Sequence, residues 1–367
     1  MKILGIETSC DETAASVVED GKNLLSNAVL SSMDLHVAYG GVVPEIAARS
    51  HIEAINPVIS EALETAFPEL SQDEQWAQID AIAITYGAGL GGSLLVGVMA
   101  ARTLAITKNK PLYAINHVEG HIYANFITET SLPDYKLPLK APEFPLLGLI
   151  VSGGHSQIVV WRDHFDYTLL GQTHDDAIGE AFDKVAKILG LPYPGGPSIA
   201  KKALEGDAYA YSLPKSKMKN KYDYSFSGIK TAVLRTAQAE IGENQDFPSF
   251  KLAERLTEAQ KANIAASFQR IAVETIVDKV VMAYEEFGPK SVVIGGGVAS
   301  SAELRKQLKE RLPLSSASDK HPLIEYTDPK LCTDNGAMVA TLGYFHASLG
   351  QPTADPYSLE IAPNLSM

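Results

Sequence analysis

The amino-acid sequence predicts a soluble α/β protein with a duplicated fold, in which two lobes lie around a nucleotide cleft. The chain has 367 residues, of which 46% are hydrophobic and 20% charged, so it is long enough for two domains with their own cores. A β-hairpin pattern occurs twice, near the start and near the middle of the chain. Each hairpin is followed by a strand-like run, a glycine-rich turn and a helical pattern. Because the same elements recur in the same order, we expect two similar halves.

The first copy occupies the N-terminal part of the chain. Two apolar runs flank a polar turn, which is typical of a hairpin, and the next apolar run ends in glycines. The predicted elements are strands at 3–8, 14–18 and 79–84, a glycine-rich turn at 87–93 and a helix at 94–107. We predict that residues 1–130 and a C-terminal helix at about 334–350 form the first lobe.

The second copy repeats this order with a longer middle part. Its predicted elements are strands at 146–151, 157–161 and 291–294, a hairpin turn at 152–156, a glycine-rich turn at 295–298 and a helix at 301–311. The additional stretch, residues 175–287, has a mostly helical pattern. We predict that residues 145–330 form the second lobe, with this stretch as a helical insertion.

The glycine turns suggest a ligand. Turns without side chains let backbone N–H groups approach phosphate oxygens closely, so a nucleotide between the halves is expected. Any single glycine cluster is also consistent with a tight turn that binds nothing. The recurrence of such clusters at matching points of the repeat favours the nucleotide.

Composition narrows the class of protein. The net charge of -13 argues against non-specific coating of nucleic acid, although a local basic patch is compatible with it. Cys10 and Cys332 are the two cysteines, too few for a disulfide framework, and they suit a reducing compartment. The apolar start of the chain meets Glu7 too early for a signal peptide. We therefore expect a cytoplasmic protein.

The histidine pair His117 and His121 is the most informative feature of the sequence. On a helix, a spacing of four residues places both imidazoles on one face, within reach of one ion. Asn116 is a good helix N-cap, and Glu119 three residues later predicts a capping box. The glutamate does not directly follow the first histidine as it does in zinc proteases, which favours a metal site without hydrolysis. Two ordinary, partly buried histidines remain an equally good interpretation of the pair alone.

Eight motifs resemble those of one known family, TsaD (formerly Gcp or YgjD). They are Gly5–Thr13, Gly41–Glu45, His117-x-x-x-His121, Val151–His155, Ala181–Lys184, Tyr193–Pro197, Ser225–Gly228 and Cys332–Gly336. The resemblance extends to about residue 345. It implies the actin, Hsp70 and sugar-kinase (ASKHA) fold, which agrees with the duplicated pattern.

The resemblance implies an acyltransferase that acts on tRNA. It would transfer a threonylcarbamoyl group from threonylcarbamoyl-AMP to N6 of the adenosine 3′ of the anticodon, in tRNAs that read codons beginning with A. The resemblance also implies partner proteins: a TsaB-like paralogue, a TsaE-like ATPase and a TsaC/Sua5-type enzyme that makes the adenylate.

The resemblance also implies site residues. The metal ligands would be His117, His121 and Asp334, and this set admits Fe(II) or Zn(II), with iron favoured by the resemblance. The adenylate contacts would be Ile150, Val151, Ser152, Gly153, Gly154, Asp183 and Gly196. The family usually has an asparagine ligand contact where this chain has Ser301, whose shorter side chain puts that contact in doubt.

Several of these residues have other readings. Asp334 is equally suited to be the N-cap of a helix that starts at Asn335. Asp11 and Glu12 lie in the first hairpin turn, where either is a candidate to orient the attacking amine or to take its proton, and where a solvated carboxylate without a role is an equally good interpretation. Among the bases between Lys215 and Arg235, the cluster Lys217, Lys219 and Lys221 is interleaved with aromatic residues and is a candidate tRNA contact, or a solvated basic loop.

Three other functions compete with the transferase. A small-molecule kinase or ATPase would suit the fold but leaves the histidine pair unexplained. A metalloprotease would use the histidines but lacks the correctly placed glutamate. A non-catalytic scaffold of this fold would be expected to lack the histidine pair, which is present.

Overall fold

The computed structural model describes residues 1–313 and 324–367. Its strands are β1 (Lys2–Glu7), β2 (Glu12–Glu19), β3 (Asn23–Ser31), β4 (Ala81–Gly87), β5 (Leu112–Asn116), β6 (Glu129–Thr130), β7 (Leu146–Val151), β8 (Ser156–Asp163), β9 (Asp166–Gln172) and β10 (Ser291–Gly295).

The helices are α1 (Met33–His36), α2 (Pro44–Ala66), α3 (Gln72–Gln78), α4 (Gly91–Thr107), α5 (His117–Tyr123), α6 (Ile178–Leu189), α7 (Gly195–Ala203), α8 (Ser227–Glu240), α9 (Leu252–Arg255), α10 (Glu258–Phe287), α11 (Ala302–Arg311), α12 (Pro329–Cys332) and α13 (Gly336–Ser348). Short 3₁₀ turns occur at Val37–Tyr39, Ala124–Phe126, Ser249–Lys251 and Gly297–Ser300.

The first sheet has six strands in the order β5, β4, β1, β2, β3, β6. Strands β1, β2 and β3 are antiparallel neighbours, whereas β4 and β5 run parallel to β1. Helix α2 packs against β2 and β3, and α4 packs against β4. Their apolar faces enclose a core that includes Ile6, Val17, Ile59, Ile82 and Val98.

Helix α13 packs against β1 and β2 at very short range. A Cβ atom placed on Gly5 would lie 2.1 Å from the Gly336 carbonyl oxygen. A Cβ atom placed on Gly336 would in turn lie 2.5 Å from the Ser16 backbone nitrogen. Two glycines therefore let the first turn of α13 lie directly on the strands. This contact fixes the position of Asn335, the residue just before the helix.

The second sheet has four strands in the order β10, β7, β8, β9. This order is the same as β4, β1, β2, β3 in the first sheet, with the hairpin β7–β8 in the place of β1–β2. Helices α6 to α10 lie between β9 and β10 in the chain. The repeat predicted from the sequence is confirmed at the level of strand order.

Residue contacts divide the chain into two compact units. The first contains Met1–Glu143, Val293–Gly295 and Glu325–Met367, and the second contains Phe144–Val292 and Gly296–Ile324. Within the described part of the chain, none of the helices combines the length and the apolar character that crossing a membrane requires.

Candidate functional site

Helix α5 carries the histidine pair and starts where β5 ends. The Asn116 side chain caps this helix by accepting hydrogen bonds from the backbone N–H groups of Val118, at 2.9 Å, and Glu119, at 3.4 Å. Both imidazoles are buried, and their ring centroids are 4.7 Å apart in an edge-to-face arrangement. The predicted helix and the shared face of His117 and His121 are confirmed.

Asp334 completes a group of three donor atoms. Its Oδ1 atom lies 3.6 Å from His117 Nε2 and 3.4 Å from His121 Nε2. One ligand atom from each of the three residues lies within 4.8 Å of the other two, a spacing that one ion can bridge. The alternative prediction for Asp334 is wrong, because Asn335 is the N-cap of α13 and accepts a 2.9 Å hydrogen bond from the Met338 amide.

The prediction that Glu119 completes a capping box is also wrong. Its carboxylate is buried, and its Oε1 atom has no hydrogen-bond partner among the described residues. Burial raises the pKa of Glu119 to about 7. Asn116 therefore caps α5 without a reciprocal contact from the glutamate.

A further carboxylate, that of Glu7, contacts His117 of the histidine pair. The sequence alone did not predict this residue as part of the site. Glu7 is the last residue of β1, and its side chain is fully buried. Its Oε2 atom lies 3.1 Å from His117 Nδ1, on the side of the ring away from Asp334. Glu7 belongs to the first family motif, which is the only signal in the sequence for a role. Its partner His117 is far away in the sequence, so local spacing cannot predict the contact.

The electrostatics of the group suit a cation. Burial lowers the pKa of His117, but the Asp334 and Glu7 carboxylates outweigh it and raise the value to about 9. Burial raises the pKa of Asp334 to about 6, against the lowering effect of His117. Burial, Asp334 and Asp11 raise the pKa of Glu12 to about 9. Asp334 and Glu7 thus lie beside the imidazoles, and Asp11 and Glu12 add negative charge near Asp334. A two-nitrogen, one-oxygen donor set in such surroundings fits a divalent metal ion.

The hairpin turn with Asp11 and Glu12 is held by buried His51 and by Ser32. His51 Nε2 donates a 3.0 Å hydrogen bond to the Cys10 carbonyl oxygen, and its Nδ1 lies 2.7 Å from the Thr13 hydroxyl. The Asp11 carbonyl oxygen accepts from both the amide and the hydroxyl of Ser32, at 2.9 Å each. These contacts fix the turn beside Asp334 within the first unit.

The second unit contains the residues implied as adenylate contacts. Ile150 and Val151 are buried in β7, whereas Gly153 and Gly154 are exposed in the following turn, where a Cβ atom on either would meet no atom within 4 Å. The Ser152 hydroxyl accepts a 3.0 Å bond from the His155 amide, which closes this turn. Open space on the Cβ side of two adjacent glycines is compatible with a ligand at this place.

Helix α6 connects this turn with Asp183. The Gly179 amide donates to the Ser152 carbonyl oxygen, and one turn later Asp183 accepts a 2.6 Å bond from the Gly195 amide at the start of α7. Gly196 follows and is open to its surroundings. Ser301 caps α11 by accepting from the Leu304 amide at 3.4 Å, so its hydroxyl is already used in the structure.

The basic cluster is only partly free for a ligand. Lys221 forms an ion pair with Glu286 and lies 5.0 Å from the Tyr222 ring centroid. Lys217 and Lys219 are exposed and form no ion pair with the described residues. Among their neighbours, Lys215 is paired with Glu274 and Asp278, as is Lys230 with Asp176.

The glycine-rich turn at 87–93 is not an open phosphate loop, which corrects the interpretation of that cluster. The Gly89 amide donates to the Pro363 carbonyl oxygen at 3.1 Å, and the Leu90 amide donates to the Ser9 carbonyl oxygen at 2.7 Å. A Cβ atom on Gly87 would lie 2.1 Å from the Ala362 carbonyl oxygen. The chain's own backbone therefore uses the close approach that these glycines allow.

Comparison with known proteins identifies the family to which the chain is similar. A family model described as TsaD, tRNA N6-adenosine threonylcarbamoyltransferase, matches residues 23–341. A protein of that name from Thermomicrobium roseum is 48% identical over 357 residues, which cover 95% of this chain and 93% of the relative. One from Dehalococcoides mccartyi (strain CBDB1) is 46% identical over 368 residues and covers 100% of this chain and 99% of the relative.

Among solved structures, HypF of T. kodakarensis is similar with a TM-score of 0.56. The two proteins are 14% identical, and the match covers 95% of this chain and 48% of HypF. A likeness at this identity concerns the fold alone. Together with the repeated strand order, it confirms the duplicated actin-like α/β fold that the sequence predicts.

Proposed function

Because the chain belongs to the TsaD family of tRNA N6-adenosine threonylcarbamoyltransferases, we propose that His117, His121 and Asp334 bind one divalent metal ion that serves this transfer. The chain is a transferase that modifies tRNA, and the kinase and protease alternatives are not favoured. The convergence of the three donor atoms is the observation that carries the proposal.

The donor is threonylcarbamoyl-AMP, and the acceptor is the adenosine 3′ of the anticodon in tRNAs that read codons beginning with A. The lone pair of the exocyclic N6 is delocalised into the adenine ring, so it attacks only an activated carbonyl that is held close. A mixed anhydride with AMP supplies this activation. The bond from N6 to the carbamoyl carbon forms, the bond from that carbon to the phosphate oxygen breaks, and AMP leaves as a weakly basic phosphate.

The protein contributes position and charge. When bound, the metal ion would supply a Lewis acid and a template for oxygen atoms of the donor. Residues 150–154, Asp183, Gly196 and Ser301 bind the adenylate. Asp11 or Glu12, which lie beside Asp334 in the first unit, orients the attacking amine or takes the proton that N6 loses.

Metal identity and partners belong to the same proposal. We favour Fe(II) over Zn(II), since a two-histidine, one-carboxylate set with open positions suits either metal and the family resemblance points to iron. Lys217, Lys219 and Lys221 contact tRNA. The protein acts in the cytoplasm, where tRNA is modified, with a TsaB-like paralogue, a TsaE-like ATPase and a TsaC/Sua5-type adenylate synthase.

The substitution His121→Ala tests the metal site. We expect the variant to fold, to lose its metal and to form no threonylcarbamoyladenosine, since one of three ligands is gone. Metal content is measured by elemental mass spectrometry and the modified nucleoside by mass spectrometry of tRNA after reaction with purified components. His164→Ala, in the turn between β8 and β9, is the matched control. Unchanged metal content and activity in His121→Ala would refute the proposal.

A further inference from the structure

The buried Glu7 carboxylate has no role in the chemistry proposed so far. It is fully buried at the end of β1, where an isolated charge is costly, so its contacts must compensate for lost water. Oε1 accepts a 2.5 Å hydrogen bond from the Ser9 amide, and Oε2 accepts one of 2.5 Å from the Thr85 hydroxyl. Its remaining contact is with His117 Nδ1, at 3.1 Å from Oε2.

The polarity of this last contact follows from the chemistry of the carboxylate. The ionised group offers acceptors only, so the groups around it must donate. If His117 Nδ1 carried a lone pair, two buried acceptors would face each other at 3.1 Å, which is costly. Nδ1 therefore carries a hydrogen and donates it to Glu7.

The second contact of His117 Nδ1 does not decide its protonation. The Ser9 hydroxyl oxygen lies 3.0 Å away, and a hydroxyl is able to accept from Nδ1–H or to donate to a lone pair. Only the carboxylate imposes a direction. In a neutral imidazole with its hydrogen on Nδ1, the lone pair is on Nε2, the atom that lies 3.6 Å from Asp334 Oδ1.

We propose that Glu7 is a positioning residue that holds His117 with its hydrogen on Nδ1 and thereby presents the Nε2 lone pair to the metal ion. The inference rests on the proposed metal function and adds to it a residue that touches neither metal nor substrate. Carboxylates behind ligand histidines fix ring orientation and raise ligand basicity in this way.

The parent protein gives the first test. Zn(II) is added to metal-free protein with ¹⁵N-labelled histidine, and two-bond ¹H–¹⁵N correlation spectra identify which ring nitrogen of His117 keeps its hydrogen. We expect Nδ1 to keep it and Nε2 to bind zinc. Coordination through Nδ1, or a hydrogen on Nε2, would overturn the proposal without any variant.

The substitution Glu7→Gln gives the second test. The amide has nearly the shape of the carboxylate, but its NH₂ group can donate to Nδ1, which favours the hydrogen on Nε2 and closes that nitrogen to the metal. We expect Zn(II) affinity to fall about 10- to 100-fold. Affinity is measured by competition with a chromophoric chelator at about pH 7.5 and about pH 9.5, so that competition from protons is separated from loss of the hydrogen bond.

Ser9→Ala is the matched control, because it removes the other partner of Nδ1 and leaves the carboxylate in place. Its Zn(II) affinity should fall by well under the loss seen in Glu7→Gln, and the hydrogen should stay on Nδ1. Equal losses in both variants, or parent-like affinity in Glu7→Gln, would overturn the positioning role. A parent protein that binds no zinc or iron would instead refute the proposed metal function itself.

Discussion

Neighbouring acidic side chains in the first unit have different surroundings. Glu7 is lowered in pKa because His117, Thr85 and Ser9 together outweigh the effect of its burial. Glu12 has a raised pKa because burial and the Asp334 and Asp11 carboxylates act in the same direction. The first is therefore a fixed charge that orients a ring, and the second is a group whose charge depends on what binds beside it.

Glu12→Ala should slow the transfer more than it weakens adenylate binding. Glu12 is held by the Ser31 hydroxyl at 3.3 Å beside Asp334, whereas the implied adenylate contacts are in other segments. Single-turnover rates and donor affinity are measured separately. Glu19→Ala, at the other end of the same strand, serves as control. A parent-like transfer rate in Glu12→Ala would remove Glu12 from the mechanism.

His346 should make the protein sensitive to mild acid. Burial lowers the pKa of this α13 histidine to about 4 from the usual 6.5. Between these values the unfolded chain binds the proton and the folded chain does not, so stability is complete above pH 6.5 and falls as the pH falls toward 4. Between about pH 7 and pH 5 we expect a loss of at most about 2 kcal/mol from this group.

The comparison of His346→Gln with the parent checks this prediction by urea unfolding at both pH values. The glutamine variant should lose less stability between them, because the group that gains a proton on unfolding is gone. Parallel pH profiles for the two proteins would contradict it.

At the residue level, the sequence predicts what local spacing encodes. The histidine pair and its Asn116 cap follow from positions within one turn of helix. Asp334 reaches them from the start of α13, and only family resemblance placed it there. Glu7 was not predicted because it continues an apolar strand. A period-two pattern carries no information about its partner His117, more than a hundred residues away.

At the level of elements, the C-terminal segment, residues 351–366, is an irregular part of the first unit that contacts β4, β5 and α4. Ala354 and Ala362 donate to the carbonyl oxygens of Leu112 and Tyr86, at 2.8 and 2.7 Å. Arg102 of α4 donates to three carbonyl oxygens of the segment, those of Pro356, Tyr357 and Leu359. The Asn116 side chain donates to the Ser366 carbonyl oxygen at 3.3 Å, so the segment reaches the cap of the histidine helix.

Gly87→Ala should displace the C-terminal segment. The added Cβ would lie 2.1 Å from the Ala362 carbonyl oxygen and 2.9 Å from Leu365 Cβ, so backbone must move. We expect a loss of about 1–3 kcal/mol in unfolding free energy and faster hydrogen exchange at residues 354–366. Gly41→Ala is the control, because a Cβ there meets nothing within 4 Å. Parent-like exchange in Gly87→Ala would show that the contact is not limiting.

The elements themselves were predicted unevenly. Both hairpins begin and end within a few residues of the predicted positions, because an apolar run on each side of a polar turn is a strong local signal. Strands β3 and β9 were not predicted, and neither was the C-terminal segment. The segment has no periodic hydrophobic pattern. Its hydrogen bonds use backbone carbonyl oxygens, which every residue type has, so the sequence does not mark them.

At the level of the whole molecule, charge determines how a tRNA can be bound. A protein with a net charge of -13 repels a polyanion at long range, so binding must rely on local cations. Of the four lysines at 215–221, Lys215 and Lys221 are neutralised by ion pairs with described residues, whereas Lys217 and Lys219 are exposed and form none. The boundaries of the two lobes given from the sequence stay a prediction.

Changing Lys217 and Lys219 to glutamate should weaken tRNA binding and flatten its salt dependence. Each lost phosphate contact lowers the slope of log affinity against log salt by about 0.7–0.9. Lys221→Gln should have a smaller effect, because that side chain is already paired with Glu286. Fluorescence anisotropy with labelled tRNA at several salt concentrations measures both. Changing Lys221 to glutamate as well would add repulsion from Glu286. If the slope of log affinity against log salt is unchanged in all variants, this surface does not bind tRNA.

The donor atoms of the candidate metal site come from helix α5 and from Asp334, which lies two residues before α13. During synthesis on a ribosome, the two imidazoles emerge long before the carboxylate, and α13 must dock on β1 before the carboxylate takes its position. We therefore expect tight metal binding at the proposed site to be a late event in biogenesis. A translation product that stops short of Asp334 would retain the histidine helix yet lack a complete binding site.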